Sequence, residues 1–314
     1  MNRKDNAKQQ MLIRALIFIA ILIVYLVMQG DLFPSDGYNS PAPTAGPSLW
    51  NSDGPTMEVH YIDVGQADSI LVSVEGEHML IDAGNNEDED LVLQYLAEQG
   101  VTSLRYVVGT HPHEDHIGAL DGVILNMDVE KVLMPKVSAN TQTYENVLKA
   151  VKKKKLKVTA AVPGDTYELG SAVVTVLGPV KKYDDLNDWS IVLRVEYGAW
   201  SFLFCADAER PALQDILNTG RTVASDVIKM GHHGSSSSAY DKFLEAVNPT
   251  WAVITCETGN DYNHPHIETV EWLKENQILL FRTDKQGHVA AITDGQTIEW
   301  NMEPTDDYSR GIIK

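Results

Sequence analysis

Cysteine is scarce in this chain of 314 residues: there are two, Cys205 and Cys256. That excludes a disulfide scaffold and a zinc site built on sulfur. Both thiols fall in apolar runs that read as buried strands. Basic residues are also in short supply, 25 Lys+Arg against 44 Asp+Glu, for a formal net charge of −19. The balance argues against a protein that grips nucleic acid over a broad basic surface, because phosphate contacts depend on Lys and Arg. It leaves room for a metal-assisted phosphoesterase, since bound cations bring their own charge. The first 56 residues carry four charges of each sign, so the whole acidic surplus lies beyond them. At 44% hydrophobic and 22% charged, the composition is that of a folded globular protein.

One long apolar run exists, at the N-terminus. Residues 15–28 are apolar throughout, and the run extends to 12–28 around Arg14. Arg3, Lys4, Lys8 and Arg14 precede or interrupt it, which places the N-terminus in the cytoplasm and everything after residue 30 outside. The run is short for a span, roughly 17–25 residues being usual. No small-residue cleavage site follows it, so residues 1–30 are expected to be a cytoplasmic tip and an uncleaved transmembrane anchor; a cleaved signal would make the protein secreted. Residues 31–56, with Pro34, Pro41, Pro43, Pro47 and Pro55, read as an extended linker. Residues 57–314 then suit one large α/β domain.

Within that domain strand-like and helix-like patterns alternate. Strands joined by turns at Gly65 and Gly76 open it, and helices are expected over Asp88–Gln99, His116–Met127, Tyr144–Lys155, Pro211–Asn218, Ser238–Val247 and Ile267–Gln277. Hairpins mixed with strand–helix–strand units predict mixed sheets covered by helices.

The most informative residues are His111-Pro112-His113-Glu114-Asp115-His116, set between an apolar strand and the start of a helix. Imidazole and carboxylate suit zinc and related divalent ions. His111 and His113, two apart in an extended loop, point to one side. Asp115 and His116, at the turn into the helix, can face a neighbouring position. Two further strand ends supply ligand types: Asp207 after Phe202–Ala206, and His232-His233 after Val227–Gly231. Read alone, Asp207 is a helix N-terminal carboxylate and the histidine pair a loop.

Together with Asp82 in Leu80-Ile81-Asp82-Ala83-Gly84, these motifs resemble the metallo-β-lactamase superfamily in order and spacing. Finer features resemble the extracytoplasmic hydrolase domain of ComEC competence DNA-channel proteins. They are His60–Asp68, Asn187-Asp188-Trp189-Ser190, Lys229–Ser235 and Asn263-His264-Pro265. The multi-span channel of those proteins is absent from this sequence. The resemblance implies an αββα four-layer sandwich with one or two Zn2+ ions (or Mn2+) at one edge. It implies His111 and His113 at the first ion, Asp115, His116 and His232 (or His233) at the second, and Asp207 bridging. Asp82 would brace the histidine loop. Many superfamily members carry a further histidine between Gly178 and Asp207; this chain has none, which leaves Asp188, Asn187 or water to complete the first position.

The function so implied is metal-dependent hydrolysis, most of all of a phosphodiester, with DNA a candidate substrate. Asp115 or Asp207 would take a proton, and His233 or His264 would protonate the leaving oxygen or stabilise charge. Lys149, Lys152–Lys155 and Lys157 form a dense basic patch that could track a polyanion. The alternatives are a lactam, lactone, thioester or choline-phosphate ester hydrolase, and a non-enzymatic surface metal-binding protein.

Overall fold

A computed structural model describes Gly54 and residues 56–312. The expected anchor, and the linker except for Gly54 and Thr56, lie outside the described residues. Among the described residues no helix is long and apolar enough to cross a membrane.

The chain opens with an antiparallel meander of β1 (Met57–Tyr61), β2 (Ile70–Val74) and β3 (Glu77–Ile81). Helix α1 (Glu89–Glu98) leads to β4 (Ser103–Val108), which adds in parallel. Helices α2 (Glu114–Ile117) and α3 (Leu120–Asn126) lead to β5 (Asp128–Met134), and α4 (Gln142–Lys153) to the short β6 (Val158–Ala160). A second sheet follows. Strands β7 (Thr166–Leu169), β8 (Ala172–Gly178), β9 (Val192–Tyr197) and β10 (Trp200–Phe204) are antiparallel. Parallel strands β11 (Val227–Lys229), β12 (Trp251–Ile254) and β13 (Leu279–Arg282) extend it, linked by α5 (Arg210–Asn218), α6 (Asp241–Val247) and α7 (Ile267–Glu275). After α8 (Thr283–Gln286) the chain returns to the first sheet, where β14 (Val289–Thr293) pairs with β1 and β15 (Ile298–Trp300) with β14.

Period-two alternation decides which side chains meet. Val59, Tyr61, Val72 and Ile81 from the first sheet pack against Val174, Leu193, Phe202 and Val253 from the second. Their strand neighbours Leu71, Leu80 and Val107 turn outward onto α1, α3 and α4, and Leu203, Ile228 and Ala252 onto α5, α6 and α7. Three apolar interfaces thus separate four layers, helix–sheet–sheet–helix. Fully burying each Val, Leu or Ile stabilises by roughly 1.5–3 kcal/mol, and truncating Phe204 (2% exposed) to Ala would cost about 3–5 kcal/mol.

Two expected helices differ in the structure. The one expected over His116–Met127 is broken between α2 and α3, where Gly118 N donates to Gly84 O at 2.9 Å. Gly118 lies so close to the Asn85–Asn86 backbone that a Cβ would sit 2.2 Å from the Asn85 carbonyl carbon. The helix expected from Ser238 begins at Asp241 instead, with Tyr240 at its N-cap. Ser238 Oγ donates to Ala208 O (2.9 Å), so it ties two loops together and caps nothing.

Candidate metal centre

Strands β3, β4, β10, β11 and β12 deliver their C-terminal ends to one edge of the sandwich, followed respectively by Asp82, the His111–His116 loop, Asp207, His232-His233 and Thr255. Several residues there hold left-handed backbone without being glycine: Asp82 (φ 59), Ala206 (φ 46), His232 (φ 49) and His233 (φ 54). Such conformations cost on the order of 1–3 kcal/mol each and persist where surrounding structure over-determines them.

Asp82 is the brace of the histidine loop. Its carboxylate accepts from Thr110 N (2.8 Å), Thr110 Oγ1 (2.7 Å) and His116 Nδ1 (2.8 Å). With Nδ1 donating, His116 turns Nε2 to the site. His111 is fully buried, with Nε2 3.1 Å from His113 Nδ1 and Nδ1 beside Thr110 Oγ1 (3.2 Å) and Ser190 Oγ (3.4 Å).

Asp207 sits at the centre and turns each oxygen to a different pair of rings. Oδ1 lies 3.1 Å from His116 Nε2 and 3.8 Å from His233 Nε2. Oδ2 lies 3.5 Å from His232 Nε2 and 3.8 Å from His111 Nε2. The far nitrogens of the adjacent histidines are fixed separately. His232 Nδ1 pairs with Glu209 Oε1 (3.1 Å), whereas His233 Nδ1 donates to Thr255 O (2.9 Å) and its Nε2 reaches Asp115 Oδ2 (3.3 Å). Asp115, His116, Asp207 and His233 each bring a ligand atom within 4.8 Å of the others.

The donor set fits a divalent cation. His116 Nε2 and Asp207 Oδ1 are both buried and neither makes a hydrogen bond, an arrangement that burial penalises unless something else satisfies the atoms. A second carboxylate–histidine group, Asp68, Asp82 and His116, is equally tight. It fits a cation less well, because the buried Lys229 ammonium and Thr255 Oγ1 already hydrogen-bond Asp68.

Charge follows the same geometry. Burial works against a charged His116, but the carboxylates of Asp207, Asp115 and Asp82 hold it well above the usual histidine value. Burial likewise disfavours Asp207 as an anion, yet His116 and His233 keep it well below the carboxylate range. His111 is pushed well down by burial, then by His116. His264 is pushed down to about 3 by burial, then by His233 and His232.

The centre opens into a cleft of about 1040 Å³. Seven carboxylates line it (Asp63, Glu87, Asp88, Glu114, Asp115, Asp207 and Glu257), and among the described residues no Lys or Arg does. The structure therefore brings together His111, His113, Asp115, His116, Asp207, His232 and His233. His264 stands in the cleft wall, its ring centroid 5.4 Å from His232 and 6.1 Å from His233. Asp188 is engaged elsewhere: Oδ1 accepts from Glu209 N (3.2 Å) and Ala212 N (3.3 Å) at the start of α5. The lysine patch is carried at the C-terminal end of α4, whose N-cap Thr141 lines the cleft; its twelve residues set the two ends roughly 18 Å apart. Glu209, Thr255, Asp68 and Lys229, which hold the histidines from behind, were not assigned these parts by sequence reasoning, since only the fold sets them beside the loop.

Comparison with known proteins agrees with this geometry. The family model of the metallo-beta-lactamase superfamily matches residues 62–255, well over half of the chain. The chain belongs to that superfamily. Its match to ComE operon protein 3 of Bacillus subtilis is 28% identical over 251 residues, covering 74% of this chain and 32% of that protein. Recombination protein 2 of Haemophilus influenzae is 26% identical over 243 residues, covering 75% of this chain and 29% of that protein. The chain thus spans about a third of the length of these curated relatives. Among solved structures, Igni18, a metallo hydrolase from Ignicoccus hospitalis, shares the fold with a TM-score of 0.50 at 16% identity, over 75% of this chain and 98% of that one. Between Gly178 and Asp207 this chain offers Ser190 Oγ, which accepts from Asp207 N (3.1 Å).

Proposed function

We propose that this chain is a hydrolase of phosphodiester bonds, DNA included, working with one or two divalent cations, zinc or manganese, at the Asp207 centre. The observation that carries the reading is the division of Asp207: one carboxylate turned to two separate groups of ring nitrogens suits a pair of adjacent cation positions. His111, His113, His232 and Asp207 Oδ2 would hold the first, and Asp115, His116, His233 and Asp207 Oδ1 the second. Cations there supply positive charge against phosphoryl oxygens and make a nearby water more acidic.

The chain's own residues do the rest. Asp115, with about a third of its side chain exposed while His116, His233 and Asp207 are buried, would receive the proton of the attacking water. His264 in the cleft wall faces the substrate side. Because, among the described residues, seven carboxylates and no Lys or Arg line the cleft, an anionic ester is bound only once the cations are in place. The name of one relative, Recombination protein 2, directs the reading toward nucleic-acid phosphodiesters. An N-terminal anchor over residues 1–30 would hold the domain at the outer face of the membrane.

Incubating the metal-loaded full chain with single-stranded DNA, beside an Asp207→Asn copy, tests the reading. Degradation confined to the wild type supports it. Intact DNA, with a lactam or thioester hydrolysed under the same conditions, would transfer the site to a carbonyl substrate.

A further inference from the structure

Gln66, in the loop after β1, reaches the His264 wall of the cleft. Its Oε1 accepts from Glu257 N at 3.2 Å, and a backbone N–H can only donate, so the amide has one orientation. Its Nε2 then donates to His264 Nδ1 at 3.1 Å. A ring nitrogen that accepts a hydrogen bond carries no proton, so the proton of His264 resides on Nε2. The backbone of His264 is held at both ends by Asn260, which accepts from His264 N (3.0 Å) and donates to His264 O (2.7 Å). Tyr262 stacks on the ring at 5.6 Å. Nε2 makes no hydrogen bond among the described residues, and the ring lines the cleft.

We propose that Gln66 is a positioning residue that holds His264 as a neutral imidazole whose Nε2–H donates a hydrogen bond to a non-bridging oxygen of the bound phosphodiester. The inference rests on the phosphodiester reading above. On this account His264 keeps its proton throughout the reaction. Acting as a general acid would require a second proton on Nδ1, where Gln66 already presents a donor. A preorganised donor of this kind gains strength as negative charge builds on the phosphoryl oxygens, and it needs no reorganisation at that moment.

The test uses the full chain with 15N-labelled histidine rings, and its His264 signals are assigned by their loss in His264→Gln. The wild type is expected to show a protonated Nε2 and a bare Nδ1. Gln66→Glu, whose carboxylate can only accept, moves the proton to Nδ1 and lowers kcat on a chromogenic phosphodiester by about 10²–10³-fold with KM nearly unchanged. His264→Gln, whose amide nitrogen mimics Nε2–H, retains part of the activity, and adding Gln66→Glu to it costs nothing more. A protonated Nδ1 in the wild type, or the same loss from Gln66→Glu in the His264→Gln background, overturns the proposal. A metal-loaded wild type inactive on phosphodiesters overturns the phosphodiester reading instead, while the ring spectrum still decides where the proton sits.

Discussion

His116 Nε2 and Asp207 Oδ1 face each other at 3.1 Å in the buried centre of the site, and neither atom makes a hydrogen bond. A buried polar group left without a partner costs about 1–3 kcal/mol. Elsewhere in these loops Asp82, Thr110 and Thr255 show how readily polar atoms are satisfied. The pair is the feature that makes this edge fit a cation, and the expected pH behaviour follows from it.

Metal affinity is expected to rise with pH. The carboxylates keep His116 protonated beyond the usual histidine range despite burial, and an incoming cation must displace that proton. Calorimetric titration with zinc in buffers of different ionisation enthalpy checks this. The apparent heat should depend on the buffer, and a heat independent of it would contradict the assignment of His116.

In the metal-free protein the same groups set a stability window. His116 has a raised folded value, so its contribution is fully present below about pH 6.5 and is lost as pH climbs through that folded value. Asp207 is lowered despite burial, so its contribution is present above about pH 4 and is lost as pH falls through its folded value. Urea midpoints should peak between about pH 4 and 6.5 and decline on both sides. Saturating metal should remove the alkaline decline.

Asp82 acts through the loop it braces. Asp82→Asn keeps the shape but loses an acceptor for His116 Nδ1, and metal affinity is expected to fall about 10–100-fold while the fold survives. Asp82→Ala leaves Thr110 N–H and His116 unsatisfied and is expected to cost about 3–5 kcal/mol in urea unfolding. Equal metal affinity in Asp82→Asn and wild type would remove the bracing role.

Part of the candidate site was readable in the sequence because its residue types are unusual for strand ends. Three histidines and two acids within six positions point to ligands without tertiary information, whereas Asp207 and the His232-His233 doublet read alone as a helix N-terminal carboxylate and a loop pair and became ligand candidates only through the resemblance. Mixed sheets covered by helices were legible through the alternation of hairpins and helices, and the four-layer arrangement through the resemblance. What was not legible depends on distance along the chain. Lys229 meets Asp68 across 161 positions, Glu209 finds His232 only because α5 and the β11 turn are neighbours, and β14 closes the first sheet against β1 at the far end of the domain. Short strands such as Val158–Ala160 and Ile298–Trp300 carry too little pattern to be told from loops. The break at Gly118 comes from a close approach of Asn85, which no local periodicity records.

Lys229 tests the support behind the histidines. It is fully buried and pairs with Asp68, which in turn lies 3.4 Å from His233 Nδ1. Lys229→Met strands a buried carboxylate and should cost about 3–5 kcal/mol, measured by urea unfolding. Combining it with Asp68→Asn should recover most of that loss, because the stranded charge is gone. A double variant as unstable as the sum of the singles would show that the two residues do not act as a pair.

Reconstitution most directly tests the account as a whole. The full chain is stripped of metal, reloaded with zinc or manganese, and offered a chromogenic phosphodiester beside a chromogenic lactam, with Asp207→Asn as the control. The account predicts phosphodiester turnover that requires metal and drops by at least about 10³-fold in the control, in line with loss of a charge-stabilising group at the reacting centre. Metal-independent turnover, or turnover of the lactam alone, would contradict it.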